Sequence, residues 1–226
     1  MASLQQLPLA LQLRDSALLE NFIIGGNENL LYNLCNGSEQ YIYLWGEQAC
    51  GKSHLLQALC HRAGIHGLTS AYLPLGHAEL NEPDILDGLE SLDLICLDEL
   101  EHIAGDPDWE VALFHLINRL RDAGKRLVIA ARHAPGKLGI GLPDLESRLN
   151  WGVIYQLATL GDADKLIFLQ ERAAQRGLQL GNDVAEFLLK RYPRDMASLF
   201  ELLDRLDKAS LAAQRKLTIP FVREFL

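Results

Sequence analysis

Tyr41-Ile42-Tyr43-Leu44-Trp45-Gly46-Glu47-Gln48-Ala49-Cys50-Gly51-Lys52-Ser53 decides the fold. A β-branched and aromatic run, Tyr41 to Trp45, opens into Gly-x-x-x-x-Gly-Lys-Ser, and a helical apolar pattern over Leu55, Leu56, Leu59 and Cys60 follows at once. That order is strand, phosphate loop, helix. Glycines at 46 and 51 let the backbone turn so that successive N–H groups converge on phosphate oxygens at a helix N-terminus. Lys52 adds a point charge for the β and γ phosphates, and Ser53 offers a hydroxyl to Mg²⁺. The predicted nucleotide-binding set is Gly46, Glu47, Gln48, Ala49, Cys50, Gly51, Lys52, Ser53 and His54.

Working outward, strands alternate with helices, which predicts a parallel sheet covered on both faces. Asn21-Phe22-Ile23-Ile24-Gly25-Gly26 is an apolar patch closed by glycines, and Asn27 is placed to cap a short helix towards Cys35. Ser70 to Leu75 reads as a second strand, and Asn81-Glu82-Pro83-Asp84 as the start of a short helix over Ile85 to Leu89. Leu92 to Leu97 is a near-continuous apolar run, as a central parallel strand requires, and it ends in Asp98-Glu99. At the carboxyl end of such a strand Asp98 can hold the water shell of Mg²⁺ and Glu99 can orient an attacking water. The other reading of the two acids is a cap on the next element. Asp106-Pro107 opens a helix with Trp109, Ala112, Leu113, Leu116, Ile117 and Leu120 at core spacing, ended by Gly124. Further strands follow at Arg126 to Ala131 and Val153 to Leu157. From Asp162 onward the pattern is helical: Asp164 to Ala174, Asn182 to Arg191, Asp195 to Leu206 or beyond, and Thr218 to Phe225.

The chain therefore divides into an extended tail (1–15), an α/β nucleotide-binding domain with a five-stranded parallel sheet (16–159) and a small all-helical domain (160–226). Its 226 residues, 49% hydrophobic and 23% charged, are enough for such a core. A net charge of −9 argues against broad electrostatic binding to nucleic acid. Cys35, Cys50, Cys60 and Cys96 lack Cys-x-x-Cys spacing and read as reduced thiols of a cytoplasmic protein. No apolar run approaches the roughly 18 residues of a membrane span, and the N-terminus lacks a signal-peptide pattern. His66, His77 and His133 read as solvated loop residues, with no zinc-ligand spacing. In the tail, Gln6-Leu7-Pro8-Leu9-Ala10-Leu11 sets a glutamine before alternating leucines, a pattern that can dock in a greasy groove or simply fray.

The phosphate loop, the Asp98-Glu99 strand end, Ser147-Arg148-Leu149-Asn150-Trp151-Gly152 and the all-helical end, in that order, resemble the AAA+ domain of bacterial replication initiators. Across essentially the whole chain the resemblance is to the DnaA-related regulatory inactivators of that family. The tail looks like their sliding-clamp-binding peptide, no helix-turn-helix domain is expected beyond the lid, and Ala213 to Val222 is similar to their ending. The resemblance implies Walker A at Gly46 to Ser53, Walker B at Asp98-Glu99, a base-packing segment at Phe22, Ile23 and Ile24, and clamp contacts by Gln6, Leu7, Leu9 and Leu11. Arg148 matches the arginine finger. In this fold it follows a helix at the domain edge, too far from its own phosphate loop, and so is available to a neighbour's nucleotide.

Two positions depart from the pattern: Arg132 replaces an acidic sensor, and Ala197 replaces the lid arginine, with Arg194 one turn earlier as a substitute. The resemblance then implies a protein that keeps ADP, with Mg²⁺ at Ser53 and Asp98, and hydrolyses little ATP of its own despite Glu99. Its implied partners are the initiator DnaA and the DNA polymerase III sliding clamp, with no strong sequence-specific DNA binding; self-association stays open. The rival readings are a loader-type AAA+ ATPase that turns over its own ATP and a small-molecule P-loop kinase.

Overall fold

The computed structural model describes residues 17–22, 26–77, 82–192, 196–213 and 215–224. Residues up to Leu157 form one compact unit and those from Ala158 a second. In the first, α1 (Glu28–Asn36), β1 (Tyr41–Trp45), α2 (Lys52–Ile65), β2 (Ser70–Pro74), β3 (Leu94–Asp98), α3 (Pro107–Asp122), β4 (Arg126–Ala131), α4 (Pro143–Leu149) and β5 (Val153–Gln156) follow one another. The strands make a 5-stranded sheet in the order β2-β3-β4-β1-β5, with every pairing parallel. Strand β4 thus lies between β1, which leads into the phosphate loop, and β3, which ends in Asp98.

The strand residues alternate between two cores. Tyr43, Ile95, Leu97, Leu127 and Ile129 point into the core that holds α3 and α4, while Ile42, Leu44, Leu94, Cys96, Val128 and Ala130 point into the one that holds α1 and α2. Because both faces are covered, β3 is buried along its whole length. The edge strand β5 is not; Ile154 is among its exposed residues.

Helix α3 starts as its sequence requires. Asp106 Oδ1 accepts the N–H groups of Asp108 and Trp109, and Pro107 takes the first turn, where its missing N–H costs nothing. Asn27 stands at the N-cap of α1, but its side chain does not bond to the first turn; its carbonyl accepts from Leu31 at 3.0 Å instead. The helix expected over Ile85 to Leu89 is replaced by 3-10 turns at Pro83–Leu86 and Leu89–Ser91, interrupted by Gly88 in the left-handed region at φ 78. Strand β3 begins at Leu94 rather than Leu92, since Thr69 O gathers the N–H groups of both Asp93 and Leu94 before the ladder starts. Cys60 and Cys96 are buried, Cys35 and Cys50 half-buried, and all are free thiols.

The regular elements of the second unit among its described residues are all helices: α5 (Asp162–Gln175), α6 (Asn182–Arg191), α7 (Met196–Ala213) and α8 (Ile219–Arg223). Leu169, Ala173, Leu188, Leu199, Leu203 and Phe221 fill its core. Thr218 caps α8 by accepting the Phe221 N–H. No helix among the described residues is long and apolar enough to cross a membrane.

Candidate functional site

The loop between β1 and α2 keeps its backbone donors unspent. Among the described residues, the N–H groups from Glu47 to Ser53 go to no protein acceptor, whereas Gly46 N–H is tied to Ala131 O of β4. A run of unpaired N–H groups at the N-terminus of a helix is an anion cradle. Gly51 makes the turn at φ 99, and a Cβ there would stand 3.2 Å from the Phe22 ring. The Lys52 side chain reaches into the loop, where its ammonium donates to Gly46 O at 2.7 Å and Glu47 O at 2.8 Å, with Cys50 Sγ at 3.6 Å. Phe22 is buried against this loop and lies 6.1 Å from the His54 ring, and His54 Nε2 donates to Leu18 O at 2.9 Å. The segment before α1 is thereby pinned beside the loop. Glu47, Gln48 and Ala49 are exposed along it. Ile23, Ile24 and Arg194, also predicted to touch nucleotide, lie outside the described residues, as do Gln6, Leu7, Leu9 and Leu11 of the tail.

Asp98, at the end of β3, is 1% exposed. Its Oδ2 accepts the Tyr72 hydroxyl at 2.9 Å and its Oδ1 the Glu99 N–H at 2.9 Å. Burial, then the nearby Asp98 charge, push the Tyr72 phenol well above its ordinary range, with Ser53 and Gln57 of α2 nearby. Ser53 of α2 therefore lies near the phenol that is bonded to Asp98 of β3. A hydroxyl and a carboxylate beside a phosphate cradle are the hard oxygen donors that Mg²⁺ takes, so the residues fit that ion. Glu99 is different: it sits in the left-handed region at φ 59, and its carboxylate lies against Gly76, just past the end of β2 and beside the His102 ring. Arg132, which follows β4 and which the resemblance compares with a sensor, is bound to Glu101 through Nε at 2.9 Å and its own backbone N–H at 3.1 Å.

Arg148 lies elsewhere. It is the penultimate residue of α4, half-buried, and shares the lining of a small surface cavity with Tyr41, Ile42, Leu149 and Gly152. Strand β1 starts at Tyr41 and reaches the phosphate loop only after Trp45, so Arg148 sits by the end of β1 remote from that loop. Its guanidinium carbon is 3.5 Å from the Trp151 ring centroid and 5.6 Å from that of Phe114, and it makes no hydrogen bond or ion pair with the described residues. Arg121 approaches Trp151 as well, at 4.4 Å. Two contacts fix this corner. A Cβ at Gly152 would fall 2.1 Å from Tyr41 O, so only glycine lets the turn after α4 press onto β1. The buried Glu110 carboxylate accepts the N–H groups of Gly105, Gly141 and Leu142, which locks the approach to α4 onto α3.

Tyr72, Glu101 and Glu110 were not singled out by the sequence. Glu110 carries a signal there, an acid beside Trp109 within the apolar pattern of α3; the partners of Tyr72 and Glu101 come from other strands and turns and leave no periodic trace.

Comparison with known proteins bears on the family and the fold. Residues 162–226 match the family model of the Hda lid domain, and residues 81–156 that of the bacterial DnaA ATPase domain. AMPPCP-bound DnaA from Aquifex aeolicus is similar at 25% identity and a TM-score of 0.69, over 88% of this chain and 67% of that one. The chain thus spans about two thirds of the length of that DnaA. Domain III of Thermotoga maritima DnaA shares the fold at 18% identity and a TM-score of 0.74, over 95% of this chain and 97% of that one. The Thermotoga maritima RuvB branch migration motor shares it more distantly, at 17% identity and a TM-score of 0.66, over 92% of this chain and 70% of that one. The chain is a DnaA-related AAA+ protein with an Hda-like lid.

Proposed function

We propose that this protein is a negative regulator of replication initiation, which keeps ADP in its own phosphate loop and lends Arg148 to ATP held by DnaA. The N–H groups of residues 47–53 hold the diphosphate, Lys52 balances its charge, and Phe22 flanks the base side of the loop. Solved DnaA with AMPPCP bound is the reason to place an adenine nucleotide there. Ser53 and Asp98 hold Mg²⁺, which neutralises the phosphate charge when bound. Own-site turnover is slow because Arg132 is committed to Glu101, the Glu99 carboxylate rests against Gly76, and the lid position of the phosphate-reading arginine is Ala197. The tail, through Gln6, Leu7, Leu9 and Leu11, engages the DNA polymerase III sliding clamp and raises the local concentration of the protein near newly replicated DNA.

The observation that carries this reading is the state of Arg148. A guanidinium with no carboxylate partner among the described residues, held on aromatic rings at the domain edge remote from its own loop, has its N–H fork free for an outside anion. Directed at a γ-phosphate in DnaA, that fork offsets the charge that develops as the phosphoryl group departs.

The test is ATP hydrolysis in a mixture of DnaA, clamp, DNA and this protein. Arg148→Ala is expected to lower stimulated hydrolysis by roughly 10³ to 10⁵ while leaving ADP binding and melting temperature unchanged. Undiminished stimulation would overturn the finger role. Brisk hydrolysis by the isolated protein, abolished by Glu99→Gln, would favour the loader-type ATPase instead. Gln6→Ala with Leu7→Ala is expected to abolish clamp pull-down without changing ADP affinity.

A further inference from the structure

Tyr72 occupies a position that the nucleotide-site reading leaves unexplained. It lies on β2, in register with Cys96, two residues before Asp98 on β3. Its ring packs into the core beneath α2, which brings the hydroxyl to the first turns of that helix. There it donates to Asp98 Oδ2 at 2.9 Å and stands beside Ser53 and Gln57. The other Asp98 oxygen is held by Glu99 N–H, so the carboxylate cannot rotate without breaking both bonds.

A divalent cation bound to Ser53 would reach Asp98 through its water shell, and that shell needs acceptor lone pairs in fixed directions. Each carboxylate oxygen has a second lone pair after accepting one hydrogen bond. By taking one lone pair of Oδ2, the phenol aims the other. We propose that Tyr72 is a positioning residue for the divalent cation of the nucleotide site, fixing Asp98 relative to Ser53. The amount by which Mg²⁺ strengthens nucleotide binding then depends on a hydroxyl that touches neither phosphate nor metal. The proposal rests on the reading of residues 46–53 as a nucleotide loop, and its test separates the two.

ADP binding to the full chain is measured by calorimetry in EDTA and across a Mg²⁺ titration, for the wild type and Tyr72→Phe, which keeps the ring in the core. Removal of one outer-shell partner is expected to raise the Mg²⁺ concentration at half-effect about tenfold, with affinity in EDTA unchanged to within about twofold. An unchanged Mg²⁺ midpoint with ADP still bound overturns the role of Tyr72 alone. An equal loss of affinity in EDTA and in Mg²⁺ reduces Tyr72 to a packing residue and overturns it too. Absence of wild-type ADP binding under both conditions overturns the nucleotide site and this proposal together. A double-mutant cycle guards against a folding defect: in an Asp98→Asn background Tyr72→Phe is expected to move the midpoint no further, and a full additive shift counts against the proposal.

Discussion

At the phosphate loop Lys52 and Asp98 are already engaged by the protein, whereas at the α4 edge Arg148 pairs with no charge among the described residues. Lys52 donates to two carbonyls and Asp98 accepts from Tyr72 and Glu99. Among the described residues, Arg148 rests on the faces of Trp151 and Phe114. A group bound by its own chain is preorganised for a ligand that stays; a guanidinium resting on rings is desolvated on one side yet keeps its N–H fork for a partner that comes and goes. On the proposed function, the same fold would hold one nucleotide at its loop and act on another at the α4 edge.

The contrast is broken most severely by changing the shape of the free cation. Arg148→Lys keeps the charge but loses the planar fork, and stimulated hydrolysis in the DnaA mixture is expected to stay at least about 100-fold below wild type. Recovery beyond that would mean that charge alone suffices. Lys52→Ala addresses the other region. Loss of a charged donor facing the diphosphate is expected to weaken ADP binding about 10- to 100-fold by calorimetry, leaving an Arg148-dependent signal only at saturating ADP. Trp151→Leu is expected to lower stimulation a few-fold, about 1 kcal/mol, with ADP affinity unchanged, since the ring seats the finger without making the chemistry. A loss as large as that of Arg148→Ala would show that the seat, not the charge, limits the rate.

The smallest effect concerns pH. Tyr43 is buried and donates to His133 O at 2.8 Å, and burial followed by the Glu101 charge raise its pKa above the ordinary 10.0. The unfolded chain releases this proton near pH 10 and the folded chain holds it. Stability is thus unaffected below that pH and falls as pH rises beyond it, by at most about 1.4 kcal/mol per unit. Thermal melts between pH 8 and 11 are expected to show this slope, reduced in Tyr43→Phe, which sacrifices about 1 kcal/mol at neutral pH for the lost hydrogen bond.

The strands, α2 and α3 were legible because each advertises itself locally. The alternation Ile42, Tyr43, Leu44 divides between two cores as period 2 demands, and Asp106-Pro107 caps α3 where its sequence says it must. Leu92 and the stretch around Ile85 misled, since apolar residues there fill the core from 3-10 turns and a strand lead-in rather than from regular elements. Within the site, the loop and Asp98 were readable from motif spacing. The Tyr72–Asp98 and Arg132–Glu101 pairs were not, because the sheet order brings them together across 26 and 31 residues of chain. For Arg148 the motif gave the position, but only the folded chain supplies the ring it rests on.

Gly152 sits on the first residue of β1, and the phosphate loop leaves its last. The intervening run from Tyr41 to Trp45, at about 3.3 Å per residue, measures roughly 13 Å. That strand acts as a ruler, and its gauge is set by chain length and not by any contact that a single substitution could loosen. On the proposed function, a molecule docked against α4 would meet the arginine at a remove from the phosphate loop that this strand sets, so the two nucleotides of the pair could not trade places.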